Sequence, residues 1–316
     1  MLALHLEGGN ARIAELDEPA PFDDSALVRV SLAGVCDTDL QLVKGYMGFS
    51  GILGHEFVGT VADGPAELRG RRVVAEINFA CENCPLCKAG LRRHCPSRRV
   101  LGILDADGAF AEFVRIPVAN LHTVPDSVPD EAAVFAEPLA AAYEILEQVD
   151  VIPGEDCVVL GDGKLGLLAA QVLAGAGARV LAVGKHPSKL AILERIGIAT
   201  VLLSDWSPER APLVVEATGS PAGFERAVAS VRPRGTLVLK STVAEAPNID
   251  LAPVVINEIQ IVGSRCGPFP PALRALEALA VDVNPLVTGR VALPDAARAL
   301  ELAGAPGSLK ILIEAR

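Results

Sequence analysis

Positive charge is what this sequence is short of: 28 lysines and arginines stand against 39 aspartates and glutamates in 316 residues, a net charge of −11. That balance repels nucleic-acid phosphates and anionic membrane surfaces, so neither class of partner is expected. The N-terminus, Met1-Leu-Ala-Leu-His-Leu-Glu7, lacks the basic segment and long apolar run of a signal peptide, and a cytoplasmic location is expected. An uninterrupted membrane span is missing as well. The most apolar stretch, Leu165 to Gly184, reaches the roughly 20 residues that a span requires, but it contains Gln171, Gly175, Gly177 and Arg179. A helix, a turn and a buried strand account for it better. Internal repeats and low-complexity tracts are absent.

What is present is apolar. At 51% hydrophobic and 21% charged residues, with mean hydropathy +0.39, the chain must fold around a sizeable core. Domains of roughly 100 to 200 residues make two the expected number. The first third reads as short strands separated by Gly and Pro: Leu27 to Leu32, Phe57 to Ala62, Arg72 to Ile77 and Phe110 to Ile116. From about Glu137, Ala- and Leu-rich helices alternate with strands at Cys157 to Leu160, Val180 to Val183, Leu213 to Val215, Thr236 to Leu239 and Gln260 to Val262. That alternation predicts βαβ units and a parallel sheet. The tail predicts an amphipathic helix over Pro294 to Leu302 and a last strand over Leu309 to Ile313.

Seven cysteines are present, four of them crowded as Cys81-x2-Cys84-x2-Cys87-x7-Cys95. Without an export signal, such crowding reads as metal binding before disulfides. Four thiolates suit a tetrahedral zinc with Zn–S near about 2.3 Å and leave no position for water, which makes the site structural. Lys88, Arg92, Arg93 and Arg98 partly offset a centre that is formally dianionic. An iron–sulfur cluster and a nucleic-acid-binding zinc ribbon are the alternatives. A catalytic zinc instead keeps three protein ligands and an open position. Gly34-Val-Cys36-Asp-Thr38-Asp39, Gly54-His55-Glu56 and Phe135-Ala-Glu137-Pro138-Leu139 could supply them. Singly each has an ordinary reading: a buried small thiol, a hydrogen-bonded histidine, a helix start.

Cys157-Val-Val-Leu-Gly161-Asp-Gly163-Lys-Leu-Gly166 is a hydrophobic strand running into a GxGxxG turn, followed by an apolar helix. This context makes the pattern a candidate dinucleotide site. Gly161 serves the tight turn, Gly163 the approach to a pyrophosphate and Gly166 close packing, with Lys164 and Leu165 opening the helix whose amides meet the anion. A glycine turn without cofactor is the plain alternative.

Taken together in this order, the motifs resemble the zinc-containing medium-chain alcohol and polyol dehydrogenase family over nearly the whole chain. The resemblance implies an α/β protein: a β-rich, GroES-like catalytic domain at 1–138 and 268–316, and a Rossmann-type doubly wound domain at 139–267, with the active site in the cleft. It implies a catalytic zinc on Cys36, His55 and Glu137, and Glu56 beside it as an alternative ligand or as a group that supports the ligands from behind. Asp39 would orient the zinc-bound histidine, and Thr38 would accept the alcohol proton. Val215-Glu-Ala-Thr218-Gly219 resembles the family's loop near the nicotinamide. Two departures stand out. Leu40, Gln41 and Leu42 occupy the positions where a relay histidine is often found, and Asp37 replaces a cation near the pyrophosphate. Dimers or tetramers are implied, with Asn257 to Val262 as a candidate for sheet extension. A zinc-free quinone or enone reductase of the same superfamily, or a nucleotide-binding protein without turnover, is the rival reading.

Cofactor choice departs from the family's commonest pattern. NAD-binding domains place an acid about 20 residues beyond the glycine turn, where it accepts hydrogen bonds from the ribose and repels a 2′-phosphate. Here Gly184, Lys185 and His186 follow the second strand, with Lys189 one turn on. NADP is therefore expected ahead of NAD, with room for a phosphate at Gly184.

Overall fold

The ten-residue strand Ser25–Gly34, buried along most of its length, organises the first of two units. In the computed structural model, which describes residues 1–241 and 250–315, that unit comprises Met1–Glu137 and Phe269–Arg316, and the second comprises Pro138–Pro268. Ser25–Gly34 pairs antiparallel with Glu56–Asp63, Phe113–Pro117 and Lys310–Glu314. Its β-branched and apolar residues suit a strand covered on both faces. The consequence lies in the last pairing: Leu312 opposes Gly34 and Ile313 opposes Ala33. The C-terminal strand thereby comes against residues that precede it by some 275 positions.

The ends of these strands carry the site. Ser25–Gly34 stops at Gly34, and the helix Asp37–Val43 begins after Cys36. Gly54 turns the chain into Glu56–Asp63 with φ +98°, and a Cβ there would lie 2.3 Å from the Phe110 ring. Only glycine fits, both for its positive φ and for that contact. Arg72 ties down the approach to Glu137, donating to Asp130 Oδ1 and to the carbonyls of Pro125 and Val128 at 2.8 Å each. An N-terminal hairpin, Leu2–Glu7 with Asn10–Glu15, closes through Gly8 and Gly9 at φ +56° and +80°. It lies outside the strands expected from sequence, although Gly-Gly between two short runs is a hairpin signal.

The second unit is a six-stranded sheet with every pair parallel, in the order Ala199–Leu202, Arg179–Gly184, Asp156–Leu160, Ala211–Glu216, Val231–Leu239, Gln260–Gly263. Strand order reverses beside Asp156–Leu160, the switch point at which ligands bind in such sheets. Val158, Leu160, Val183, Val214 and Leu237 form its core with Ala227 and Val228 from the helix Pro221–Ser230. The stretch Leu165 to Gly184 is the helix Lys164–Gly175, a turn and the strand Arg179–Gly184. Among the described residues no helix is long and apolar enough to cross a membrane. Ala199–Leu202, at the sheet edge and only half-buried, is a strand the sequence reading omits.

Candidate metal and cofactor sites

The four clustered cysteines meet as their spacing suggests. Cys84 caps the short helix Pro85–Lys88, its sulfur accepting the Cys87 N–H at 3.4 Å, and Cys95 Sγ accepts the Cys81 N–H at the same distance. Cys84 Sγ lies 3.4 Å from Cys87 Sγ and 3.9 Å from Cys95 Sγ, and all four donors lie within 4.8 Å of one another. Thiolates on a tetrahedral zinc stand about 3.8 Å apart. The donor set fits zinc. The N–H groups of Asn83 and Cys84 draw the Cys81 thiol down to about 7, toward the thiolate that binds metal. Of the cations expected around the lobe, Arg92 pairs with Glu82 at 2.6 Å and Arg98 donates to the Cys95 carbonyl at 3.1 Å.

The second group consists of Cys36, His55 and Glu56, again with donor atoms within 4.8 Å of one another. Asp39, fully buried in the first turn of the helix Asp37–Val43, accepts the Cys36 N–H at 2.8 Å through Oδ2. Its Oδ1 faces His55 Nδ1 at 3.3 Å, and neither of these buried atoms has a hydrogen-bond partner. A metal on Nε2 would complete the arrangement, since a metal-bound imidazole turns its other nitrogen to a carboxylate. Burial pushes the His55 pKa down, but Asp39 and the Cys36 thiolate outweigh it and hold it well above the usual imidazole range. Thr38 Oγ1 sits 3.7 Å from Cys36 Sγ, placing a hydroxyl beside the prospective metal.

Glu137 does not join this set. It lies half-buried in the first turn of the helix Ala136–Gln148, and the carboxylate inside the 4.8 Å group is that of Glu56. Beside Glu56 stands Lys310, which no sequence pattern singles out. Its ammonium, fully buried on the C-terminal strand, pairs with Glu56 Oε2, donates to the Val35 carbonyl at 3.3 Å and lies 5.5 Å from the centre of the Phe135 ring. Burial pushes the Lys310 pKa down, yet Glu56, Cys36 and Asp37 raise it above the ordinary lysine value. A charged pair is thus built into the floor of the site. Gly34 makes room for it, because a Cβ there would stand 3.0 Å from both Glu56 Oε2 and Lys310 Cδ.

In the second unit the glycine turn has the form its sequence requires. Gly161 adopts φ +120°, with its Cα against the Ala217 carbonyl, and a Cβ on Gly166 would lie 2.0 Å from the Gly161 carbonyl. Gly163 caps the helix Lys164–Gly175 without a side-chain acceptor, so that end of the helix can meet an anion. Lys164 and Leu165 form its first turn. Thr218, beside Gly161, is held by Glu216, which accepts the Thr218 N–H at 2.7 Å and its hydroxyl at 2.5 Å. Gly184 requires a correction. The space above it is not open for a phosphate, because a Cβ there would meet Asp162 Cβ at 2.5 Å and Oδ2 at 2.6 Å. Asp162 Oδ2 accepts the N–H groups of Lys185 at 2.7 Å and His186 at 2.6 Å, and it also faces His186 Nδ1 at 2.9 Å.

Comparison with known proteins finds relatives along nearly the whole chain. Residues 23–126 match the alcohol dehydrogenase GroES-like domain and residues 165–281 match the zinc-binding dehydrogenase domain. The D-arabinitol dehydrogenase 1 of Uromyces fabae is 29% identical over 96% of this chain and 93% of its own length. Among solved structures, alcohol dehydrogenase TADH from Thermus sp. ATN1 superposes with TM-score 0.91 at 29% identity, covering 100% of both chains. One from Sinorhizobium meliloti 1021, bound to NADP, does so with TM-score 0.90 at 27% identity over 99% of this chain and 98% of that one. The chain belongs to the zinc-containing medium-chain dehydrogenase/reductase family and is an oxidoreductase of its alcohol dehydrogenase type.

Proposed function

We propose that this protein transfers hydride between a primary or secondary alcohol and a nicotinamide cofactor, with one zinc at the Cys36 centre and a second in the cysteine lobe. The observation that carries the reading is the convergence of Cys36, His55 and Glu56 with Asp39 behind the imidazole and Thr38 beside the thiolate. Zinc held there supplies Lewis acidity, which lowers the pKa of an alcohol, and the nicotinamide supplies the hydride acceptor. The chain does the rest. Asp39 fixes the orientation of His55, Thr38 takes the hydroxyl proton, and Lys310 holds the Glu56 carboxylate at the edge of the centre. Glu137 and Glu56 are the two carboxylates available as a third ligand, and the grouping of Glu56 with Cys36 and His55 supports Glu56. Gln41 cannot titrate near neutral pH and so does not extend the relay from Thr38; a bound cofactor's ribose hydroxyl and water, or another residue, would carry the proton onward.

Gly161, Gly163, Lys164, Leu165, Gly166 and Thr218 are assigned to the dinucleotide. Lys185, His186 and Lys189 favour NADP, as does the NADP-bound structure from Sinorhizobium meliloti, against which Asp162 acts. The relative that oxidises D-arabinitol by name makes polyols the first substrates to try. The setting proposed is cytoplasmic and homo-oligomeric. The test is cofactor reduction followed by absorbance against a panel of polyols, simple alcohols and amino alcohols, with zinc counted in the same preparation. Alcohol-dependent, zinc-dependent reduction is expected. Activity only on quinones or enones, unaffected by zinc removal, would support the zinc-free reading instead.

A further inference from the structure

We infer that Asp162 is the residue through which this chain weighs NAD against NADP, a role that rests on the nicotinamide reading above. In Rossmann domains selective for NAD, an acid at the end of the second strand accepts hydrogen bonds from the adenosine ribose and repels a 2′-phosphate. That position here is Gly184, which has no side chain. The carboxylate comes instead from the glycine turn, on the neighbouring strand. Asp162 reaches across so that its Cβ stands 2.5 Å from where a Cβ on residue 184 would be. The same chemical group fills the same space from a different point in the chain.

Its fixation is what gives it force. Oδ2 receives the Lys185 and His186 N–H groups and faces the His186 ring, and Asp162 is only 9% exposed. Those two amides lead into the helix Pro187–Glu194, and they are the donors a 2′-phosphate would use at such a helix start. A carboxylate already satisfies them. A ribose hydroxyl need only donate to this carboxylate, whereas a 2′-phosphate has to displace it or sit against its charge. Lys185, His186 and Lys189 pull the other way, so the balance between the cofactors is set by one buried carboxylate against two lysine ammonium groups and an imidazole. The structure also changes how the site can be redesigned. An aspartate placed at 184 collides with Asp162, so a carboxylate can be moved to the strand end only after it is removed from the turn.

The experiment is calorimetric titration of NADH and NADPH into the full-length parent, D162N, D162G and the exchange variant D162G/G184D, read as the ratio of the two affinities. D162N keeps the shape of the side chain and loses only the charge, so it carries the test even if the glycine variant melts early. In D162N and D162G the ratio should move toward NADPH by about tenfold or more, the scale of a single well-placed charge. In D162G/G184D it should return toward NADH. A ratio within about twofold of the parent in both single variants, well under the 1.4 kcal/mol of a tenfold change, would overturn the assignment, as would an exchange variant that stays as NADPH-preferring as D162G. A parent that binds neither dinucleotide would overturn the nicotinamide reading and this role with it, an outcome distinct from an unmoved ratio.

Discussion

Two side chains at the Cys36 centre have effects that can be separated by measurement. Thr38 offers a hydroxyl 3.7 Å from the prospective ligand sulfur and is given the reacting proton. Thr38→Ala is therefore expected to lower kcat by about 100-fold to 10,000-fold, the usual range for general acid–base groups, with Thr38→Ser retaining most of it. Cofactor affinity should scarcely move, and a loss of kcat below about threefold would place the proton elsewhere. Lys310 acts on stability first. Removing one partner of a buried ion pair leaves the other charge uncompensated, and Lys310→Met should cost about 3–5 kcal/mol in denaturant unfolding. Pairing it with Glu56→Gln should recover much of that loss, because both charges then leave together. An additive double variant would mean that Glu56 and Lys310 do not depend on each other.

At the scale of elements, both candidate metal groups sit where a strand gives way to a helix or turn, but the proposal gives the metal a different task in each. The lobe 81–95 has a four-residue helix, one short 3₁₀ turn at Arg92–His94 and little core of its own, with Glu82 at φ +60° and Gly90 at φ +79°. A segment of that kind gains its folding free energy from the metal. Cys84→Ser should lower the melting temperature and lose one zinc per chain. Cys36, by contrast, follows a ten-residue strand braced on several sides, so Cys36→Ser should lose the other zinc and turnover while melting near the parent temperature. Metal analysis and calorimetry on the same samples check both. One zinc in fully active parent protein would contradict the division of labour.

For the whole molecule, the informative surface lies at one edge of the six-stranded sheet. Gln260–Gly263 is the outermost strand, with only Val231–Leu239 beside it among the described residues. The preceding helix Ala252–Ile256 leaves Val255 and Ile256 74% and 77% exposed. An open edge next to exposed β-branched side chains would suit a second copy that extends the sheet. Dimers or tetramers are expected in light scattering after gel filtration. Ile256→Lys combined with Ile261→Lys should shift the mass to the monomer, while a parent that is already monomeric would dismiss this edge as an interface.

What the sequence determined by itself is what short stretches of chain can encode. The cysteine lobe, the Gly161 to Gly166 turn with its strand and helix, and the Cys36 to Asp39 run are each contiguous, so their spacing carries their geometry. Asp39 accepting the Cys36 N–H is a helix-start contact three residues long, and it is readable for that reason. Tertiary structure decided the contacts between distant segments. Lys310 is an ordinary lysine until the C-terminal strand pairs with Ser25–Gly34 and buries it against Glu56. Gly184 looks like empty space until parallel pairing of Asp156–Leu160 with Arg179–Gly184 brings Asp162 over it. Which carboxylate stands beside Cys36 and His55, and which one fills the space over Gly184, depends on sheet register and on which buried charges find partners. Neither is a property of local spacing.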